Sequence, residues 1–353
     1  MDNITLLKNW EKYKLNNGTG LTTSYNYIIH PRIETFFNKL TINLNQANNK
    51  GLHWDVIDTF HNWINNSTNN KIDIAVFDRK HLIHKPYDCL HEASWRYRHR
   101  RLRKLRGEHQ YLDNSFFYLH FDELKPVNVE HKPFFRYVDS PTGKFFDLDE
   151  EDWVYISIPF FGEGEVSDKT EGLLNQADLL GVPVVVDCTL LPLAKGFDIN
   201  LNRPSVKEVI FTIGSNIGMY KSQLGIRFSK YSDKDNAGAD GSDGVPPIQL
   251  LNGVDEGFVS FADLLVANDV LKAFSADFLY NSCREIQLEI CQELDLIPTS
   301  CVNICMIPEH NMWVSDKKAN ELYNEYVDAG NDLFPRVDIS WAITQKLKKR
   351  NNE

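Results

Sequence analysis

The chain has 353 residues, of which 42% are hydrophobic and 25% are charged, and its net charge at pH 7 is −11. This composition is typical of a globular protein with two domains, or with one large domain and an appendage. The acidic balance argues against a general nucleic-acid-binding protein, because such proteins present a net basic surface. No apolar run approaches about 18 residues, so we expect no membrane-spanning helix.

The N-terminus and the cysteines both favour a reducing compartment. Residues 1–5 lack the basic region and the apolar region of a secretory signal. The six cysteines form no C-x-x-C pair, and their spacings do not favour zinc. We therefore predict buried free thiols, no metal site and a cytoplasmic protein.

Up to residue 180, the predicted elements are two helices, two strands and a third helix. The spacing of apolar and aromatic residues predicts helices over residues 33–40 and 53–64. A high content of β-branched and aromatic residues predicts strands over 72–77 and 153–159. A serine at the N-cap and an acidic first turn predict the helix over 167–180.

Residues 95–106 have an unusual composition, because they contain seven Arg or Lys residues interleaved with aromatic ones. Three interpretations stay open. The segment is a helix whose basic face meets an acidic surface of this chain or of a partner subunit. Alternatively, it contacts nucleic acid, or it recognises an anionic small molecule.

The stretch 182–227 has the arrangement of a ligand site. An apolar strand ends on Asp187, and a second strand runs into a loop that contains Ser215 and Lys221 and is followed by Arg227. A strand, a helix and another strand in this order form a βαβ unit, which implies a parallel sheet. Ligands of such sheets bind outside the carboxyl ends of the strands.

Beyond residue 258 the pattern becomes mainly helical. It predicts helices over 261–276, 278–294 and 316–329, strands over 300–307 and 336–342, and a basic helical tail.

These elements predict an α/β protein with two domains. Residues 1–255 form a large domain with a mainly parallel sheet sandwiched by helices. Residues 256–353 form a smaller C-terminal α+β domain.

This order of elements resembles the fold-type-I pyridoxal-phosphate (PLP) enzymes, the aspartate-aminotransferase-like superfamily. The resemblance rests on the apolar strand that ends on an Asp at position 187, the second strand over 209–215, the Gly-x-Arg tripeptide at 225–227 and the strand over 336–342. It covers residues 150–345. Each motif alone is unspecific, and the order and spacing carry the inference.

The resemblance implies a role for each of five residues. Asp187 pairs with the pyridine nitrogen of PLP and keeps it protonated, so that the ring acts as an electron sink. Lys221 forms the Schiff base and later moves the proton. Ser215 and Arg227 hold the phosphate, and Arg336 binds a substrate carboxylate.

The sequence departs from the family pattern in three places. Strand alignment puts the family's lysine at positions 215–219, which contain none, and Lys221 is the nearest lysine. Ile158 stands where the family has an Asn before Pro, so a hydrogen bond to the ring hydroxyl of PLP is missing. The first 110 residues contain no Gly-rich phosphate-binding segment after a strand.

The sequence therefore supports three hypotheses. The first is a PLP-dependent, aminotransferase-like enzyme that acts on an amino acid or another small molecule with an amino group, and the resemblance implies a homodimer. The second is a non-catalytic relic of this fold that serves as a binding or regulatory protein. The third is an RNA-associated protein that works through residues 95–106.

The candidate site residues also have ordinary structural interpretations. Asp187 could cap a turn, Lys221 could be a solvated loop residue, Arg227 could form an ordinary ion pair, and Arg336 could flank a strand without a function.

Overall fold

The computed structural model describes residues 28–41, 51–77, 79–83, 100–104, 136–137, 148–160, 164–166, 170–213, 224–230, 259–306 and 336–352, together with residues 89, 93, 97 and 308. The helices in this part of the chain are α1 (Pro31–Lys39), α2 (Leu52–Asn65), α3 (Thr170–Leu180), α4 (Phe261–Ala273), α5 (Phe278–Leu294) and α6 (Ser340–Asn352). None of these six helices is both long enough and apolar enough to cross a membrane.

The strands in the same part of the chain are β1 (Lys71–Asp73), β2 (Arg79–Ile83), β3 (Arg101–Lys104), β4 (Arg136–Tyr137), β5 (Asp152–Ser157), β6 (Val184–Asp187), β7 (Asp198–Asn200), β8 (Val206–Thr212), β9 (Gly225–Ser229), β10 (Ile297–Pro298), β11 (Ile304–Met306) and β12 (Arg336–Asp338). A short 3-10 helix over Leu191–Leu193 follows β6.

The main sheet has seven strands in the order β2-β9-β8-β6-β5-β3-β4. Strand β9 is antiparallel to both of its neighbours, and the pairs from β8 to β4 are parallel. The central strands β5, β6 and β8 are almost entirely buried and rich in Val and Ile, as expected for parallel strands covered on both faces. The predicted α/β fold with a mainly parallel sheet is therefore confirmed.

The two faces of this sheet belong to different apolar clusters, because side chains alternate between the faces of a strand. Val154 and Val184 point into the main core, together with the buried faces of helices α1 to α6. On the other face, Tyr155 and Val185 belong to a smaller cluster. That cluster also contains Trp153, Ile210, Leu102, Ile83, Cys89, Ala93 and Tyr97.

The helical interpretation of residues 95–106 is wrong for the part that the structure describes. Residues Arg101–Lys104 form strand β3, which pairs with β4 and β5 inside the sheet. Arg103 is only 3% exposed, and its Nε lies 2.9 Å from an Oδ2 of the buried Asp152. The basic segment therefore meets an acidic group of its own chain, and Arg103 is too buried to contact RNA.

Three other predicted strands are shorter than the sequence pattern indicated, among them 300–307, of which Ile304–Met306 is a strand, and an Asp side chain ends the other two. In the segment predicted as 72–77, Asp73 accepts a hydrogen bond from the Ala75 N–H (3.2 Å) and the chain turns. In the segment predicted as 336–342, Asp338 accepts from the Ser340 N–H (2.8 Å), where helix α6 begins. Tertiary position and local capping override strand propensity here.

The C-terminal region has a three-stranded antiparallel sheet of its own, in the order β10-β11-β12. Helix α5 contacts α6 and β10, and α6 also contacts α1 near the N-terminus. There, the Ile29 N–H donates to Thr344 Oγ1 (2.9 Å). The domain boundary between residues 255 and 256 stays a prediction, and the predicted helix over 316–329 lies outside the described residues.

All six cysteines are buried free thiols, as the sequence predicted. Two of them meet in the C-terminal region, where Cys291 on α5 and Cys305 on β11 have their Sγ atoms 3.2 Å apart.

Candidate functional site

Asp187 is the last residue of β6, at the carboxyl end of a central parallel strand, and it is 1% exposed. Its backbone is fixed on one side, because its carbonyl accepts from the Ile158 N–H (2.8 Å). The next residue is fixed on the other side, where the Cys188 N–H donates to the Ile210 carbonyl (2.7 Å). The carboxylate therefore sits in the part of the sheet where α/β proteins bind their ligands.

Both carboxylate oxygens of Asp187 accept hydrogen bonds. Tyr155 Oη donates to Oδ2 at 2.6 Å, and the Thr189 N–H donates to Oδ1 at 2.8 Å. The second contact closes a local turn, and it agrees with the ordinary interpretation of Asp187 as a residue that caps a turn. A carboxylate has about four lone-pair sites, which is more than these two bonds use.

Arg227 lies on the same face of the sheet as Asp187. Asp187 is in register with Ile210 of β8, and Ile210 is in register with Arg227 of β9. Two strand spacings separate the two charged residues, which is about 10 Å between their backbones. Arg227 is 4% exposed, so the sheet places a carboxylate and a guanidinium in one buried row.

A second buried acid lies close to this row. Glu208 is in register with Ser229, which puts it on the same face as Arg227 and diagonally adjacent to it. An ordinary ion-pair role for Arg227 is thus compatible with its surroundings. Because a guanidinium has five N–H donors, such a role and phosphate binding do not exclude each other.

Ser215 and Lys221 lie outside the described residues. The chain leaves the described part after Ile213 and returns at Leu224, and the Ile213 N–H donates to the Leu224 carbonyl (2.9 Å). Ile213 and Leu224, the described residues on either side of this segment, lie at the carboxyl edge of the main sheet. Arg336 begins β12, where its backbone pairs with Met306, and the structure describes only its backbone.

Gly225, the first residue of the Gly-x-Arg tripeptide, is required by the close approach of two strands. A Cβ at this position would lie 2.3 Å from the Phe211 carbonyl oxygen of β8 and 3.0 Å from the Ile83 side chain. Backbone atoms cannot move aside at a low energetic cost.

Because of this clash, we expect Gly225→Ala to lower the free energy of unfolding by about 1–3 kcal/mol, measured by urea denaturation. A Gly196→Ala variant, with open space around its Cβ and a positive φ, reports backbone strain without a steric clash. An unchanged midpoint for Gly225→Ala would contradict this account of the strand pair.

The sequence did not indicate Tyr155 as part of the site. It appeared only as one aromatic residue in a predicted strand, and its contact with Asp187 depends on the register between β5 and β6. Cys188 also lies beside Asp187. Burial, and then the charge of Asp187, raise the pKa of its thiol well above the usual range, so it stays protonated and is no nucleophile.

Comparisons with known proteins fit this geometry. No protein-family model matches the sequence, and no curated protein matches it. Solved structures do match. A Thermus thermophilus aspartate aminotransferase double mutant has a TM-score of 0.58 at 11% identity, over 99% of this chain and 96% of that one. Escherichia coli YbdL, described with a methionine aminotransferase function, has a TM-score of 0.58 at 13% identity, over 95% of this chain and 93% of that one. A PLP-bound C–S lyase from Staphylococcus hominis has a TM-score of 0.54 at 7% identity, over 93% of this chain and 85% of that one.

The chain has the fold-type-I aminotransferase fold. At identities this low the likeness establishes the fold alone, and the activity needs evidence from the site.

The described residues of this chain fit PLP at two points. Asp187 offers a buried carboxylate for a protonated ring nitrogen, and Arg227 offers a buried fork of donors for a phosphate. At a third point the fit is weaker. Ile158 is buried in the main core, on the opposite face of the sheet from Asp187, so its side chain gives no hydrogen bond to the ring.

Proposed function

We propose that this chain is a PLP-dependent enzyme of the aminotransferase type, which acts on an amino acid or another small molecule with an amino group. The observation that supports it best is the pair formed by Asp187 and Arg227. Both are buried on one face of the main sheet, two strands apart and in one row, and Asp187 ends a parallel strand of a fold shared with PLP enzymes.

When bound, PLP supplies a ring that takes up the electron pair left when a bond at the substrate α-carbon breaks. Asp187 would accept a hydrogen bond from the ring N–H and keep that nitrogen protonated. Arg227 would donate to the phosphate, helped by the Ser215 hydroxyl. Lys221 would attach the cofactor and move the proton at the α-carbon, and Arg336 would orient the substrate carboxylate.

The burial of the pair supports these roles physically. Both charged groups are shielded from water by the sheet, so their interactions with a bound ligand are stronger than at an exposed surface. A homodimer and a cytoplasmic location remain part of the proposal.

Titration of the purified chain with PLP tests the proposal. We expect saturable binding of one PLP per chain, with a visible absorption band that Lys221→Ala removes. Lys195→Ala, at an exposed lysine, is the matched control and should keep the band. A wild-type chain that takes up no PLP would contradict the proposal.

One alternative keeps specific support, namely a non-catalytic relic of the fold. The absence of lysine from positions 215–219 and the apolar Ile158 favour it. It predicts that any PLP binding by the wild type is non-covalent and is unaffected by Lys221→Ala.

A further inference from the structure

Tyr155 makes a short side-chain contact with the carboxylate of the candidate site. Its hydroxyl lies 2.6 Å from Asp187 Oδ2, and each residue is 1% exposed. This length is typical of a hydroxyl that donates to an ionised carboxylate, a charge-assisted bond that is stronger than a neutral one.

The sheet fixes where this hydroxyl points. Tyr155 is in register with Val185. Asp187 lies two residues beyond Val185, and therefore on the same face of the sheet. The ring belongs to the second apolar cluster, with Trp153 and Ile210, and has little freedom to turn away. The phenol therefore reaches diagonally from β5 to the end of β6.

Tyr155 and Thr189 together hold both oxygens of the Asp187 carboxylate. The Thr189 N–H fixes Oδ1 at 2.8 Å, while Tyr155 fixes Oδ2. A carboxylate with a donor on each oxygen cannot rotate freely, and both bonds stabilise its negative charge in a place that water does not reach. The plane of the carboxylate is thus set before any ligand arrives.

We propose that Tyr155 is a positioning residue, which acts through Asp187 to set the affinity of the site for a ligand with a protonated ring nitrogen. This inference rests on the proposed function. It adds a residue that no pattern in the sequence indicated, and it assigns to the tyrosine no contact with the ligand itself.

The test is a double-mutant cycle read out as PLP affinity. Tyr155→Phe, Asp187→Asn and the double variant are titrated with PLP, with circular dichroism showing that each is folded at the titration temperature. Loss of one hydrogen bond to a charged group should raise the Kd of Tyr155→Phe about 10-fold or more. In the Asp187→Asn background, the same change should have less than about a twofold effect, because the two residues act as one unit.

Tyr280→Phe is the matched control, since it removes a phenol hydroxyl from a buried tyrosine on helix α5. Its Kd should equal that of the wild type.

Three outcomes overturn the inference. An unchanged Kd in Tyr155→Phe shows a purely structural tyrosine and leaves the proposed function standing. An equal effect in both backgrounds shows that Tyr155 does not act through Asp187. A wild type without PLP binding overturns the proposed function and this inference together. If Asp187→Asn binds PLP too weakly to titrate, the Kd values of Tyr155→Phe and Tyr280→Phe are compared instead, and equal values overturn the inference.

Discussion

Asp187→Asn should reduce PLP-dependent turnover by at least about 10²-fold, the scale on which removing one preorganised electrostatic contact acts. An amide keeps the size of the carboxylate but cannot hold a ring nitrogen in its protonated form. The measurement is kcat for amino-group transfer from a panel of amino acids, at saturating PLP.

The matched control for this change is Asp198→Asn. It removes the same charge from a side chain that is 80% exposed and pairs loosely with Lys71 (3.8 Å). The control should keep wild-type kcat. Equal kcat values for Asp187→Asn and the wild type would contradict a catalytic role for Asp187. Its role would then be limited to the turn that it forms with the Thr189 N–H.

Asp152→Ala should lower the free energy of unfolding by about 3–5 kcal/mol, the cost of leaving one partner of a buried ion pair without the other. Arg103 and Asp152 have side chains that are 4% and 0% exposed, and their charged groups are 2.9 Å apart. The variant also removes the acceptor of the Asp149 N–H, which lies 3.0 Å from Oδ2. Urea denaturation monitored by tryptophan fluorescence measures the loss.

Two further variants separate the ion pair from other effects. Glu151→Ala removes an exposed carboxylate from the neighbouring position and should change stability by less than about 0.5 kcal/mol. Arg103→Met combined with Asp152→Ala replaces both charges and should recover much of the loss, because no buried charge is left uncompensated. A double variant as unstable as Asp152→Ala alone would show that the pair is not the cause.

The core of the sheet and the position of Asp187 could be predicted from the sequence. Val184–Asp187 reads as a buried strand because its apolar run is continuous and β-branched, and a carboxylate directly after it marks a strand end. The Gly-x-Arg tripeptide was found as a motif, and the structure gives its reason, since Gly225 touches the backbone of β8.

Features that depend on tertiary pairing could not be predicted. The basic segment looked helical and exposed because seven charges in twelve residues rarely enter a sheet. Its burial depends on Asp152, 49 positions beyond Arg103 in the sequence. In the same way, Tyr155 joins the site only through the register of β5 and β6.

The most direct test of the proposed function is to find which lysine the cofactor reaches. The wild-type chain is incubated with PLP, reduced with borohydride and digested, and the labelled peptide is identified by mass spectrometry. The proposal predicts one pyridoxyl group per chain, on Lys221. A chain without label, or label spread over exposed lysines such as Lys71 and Lys195, would contradict it.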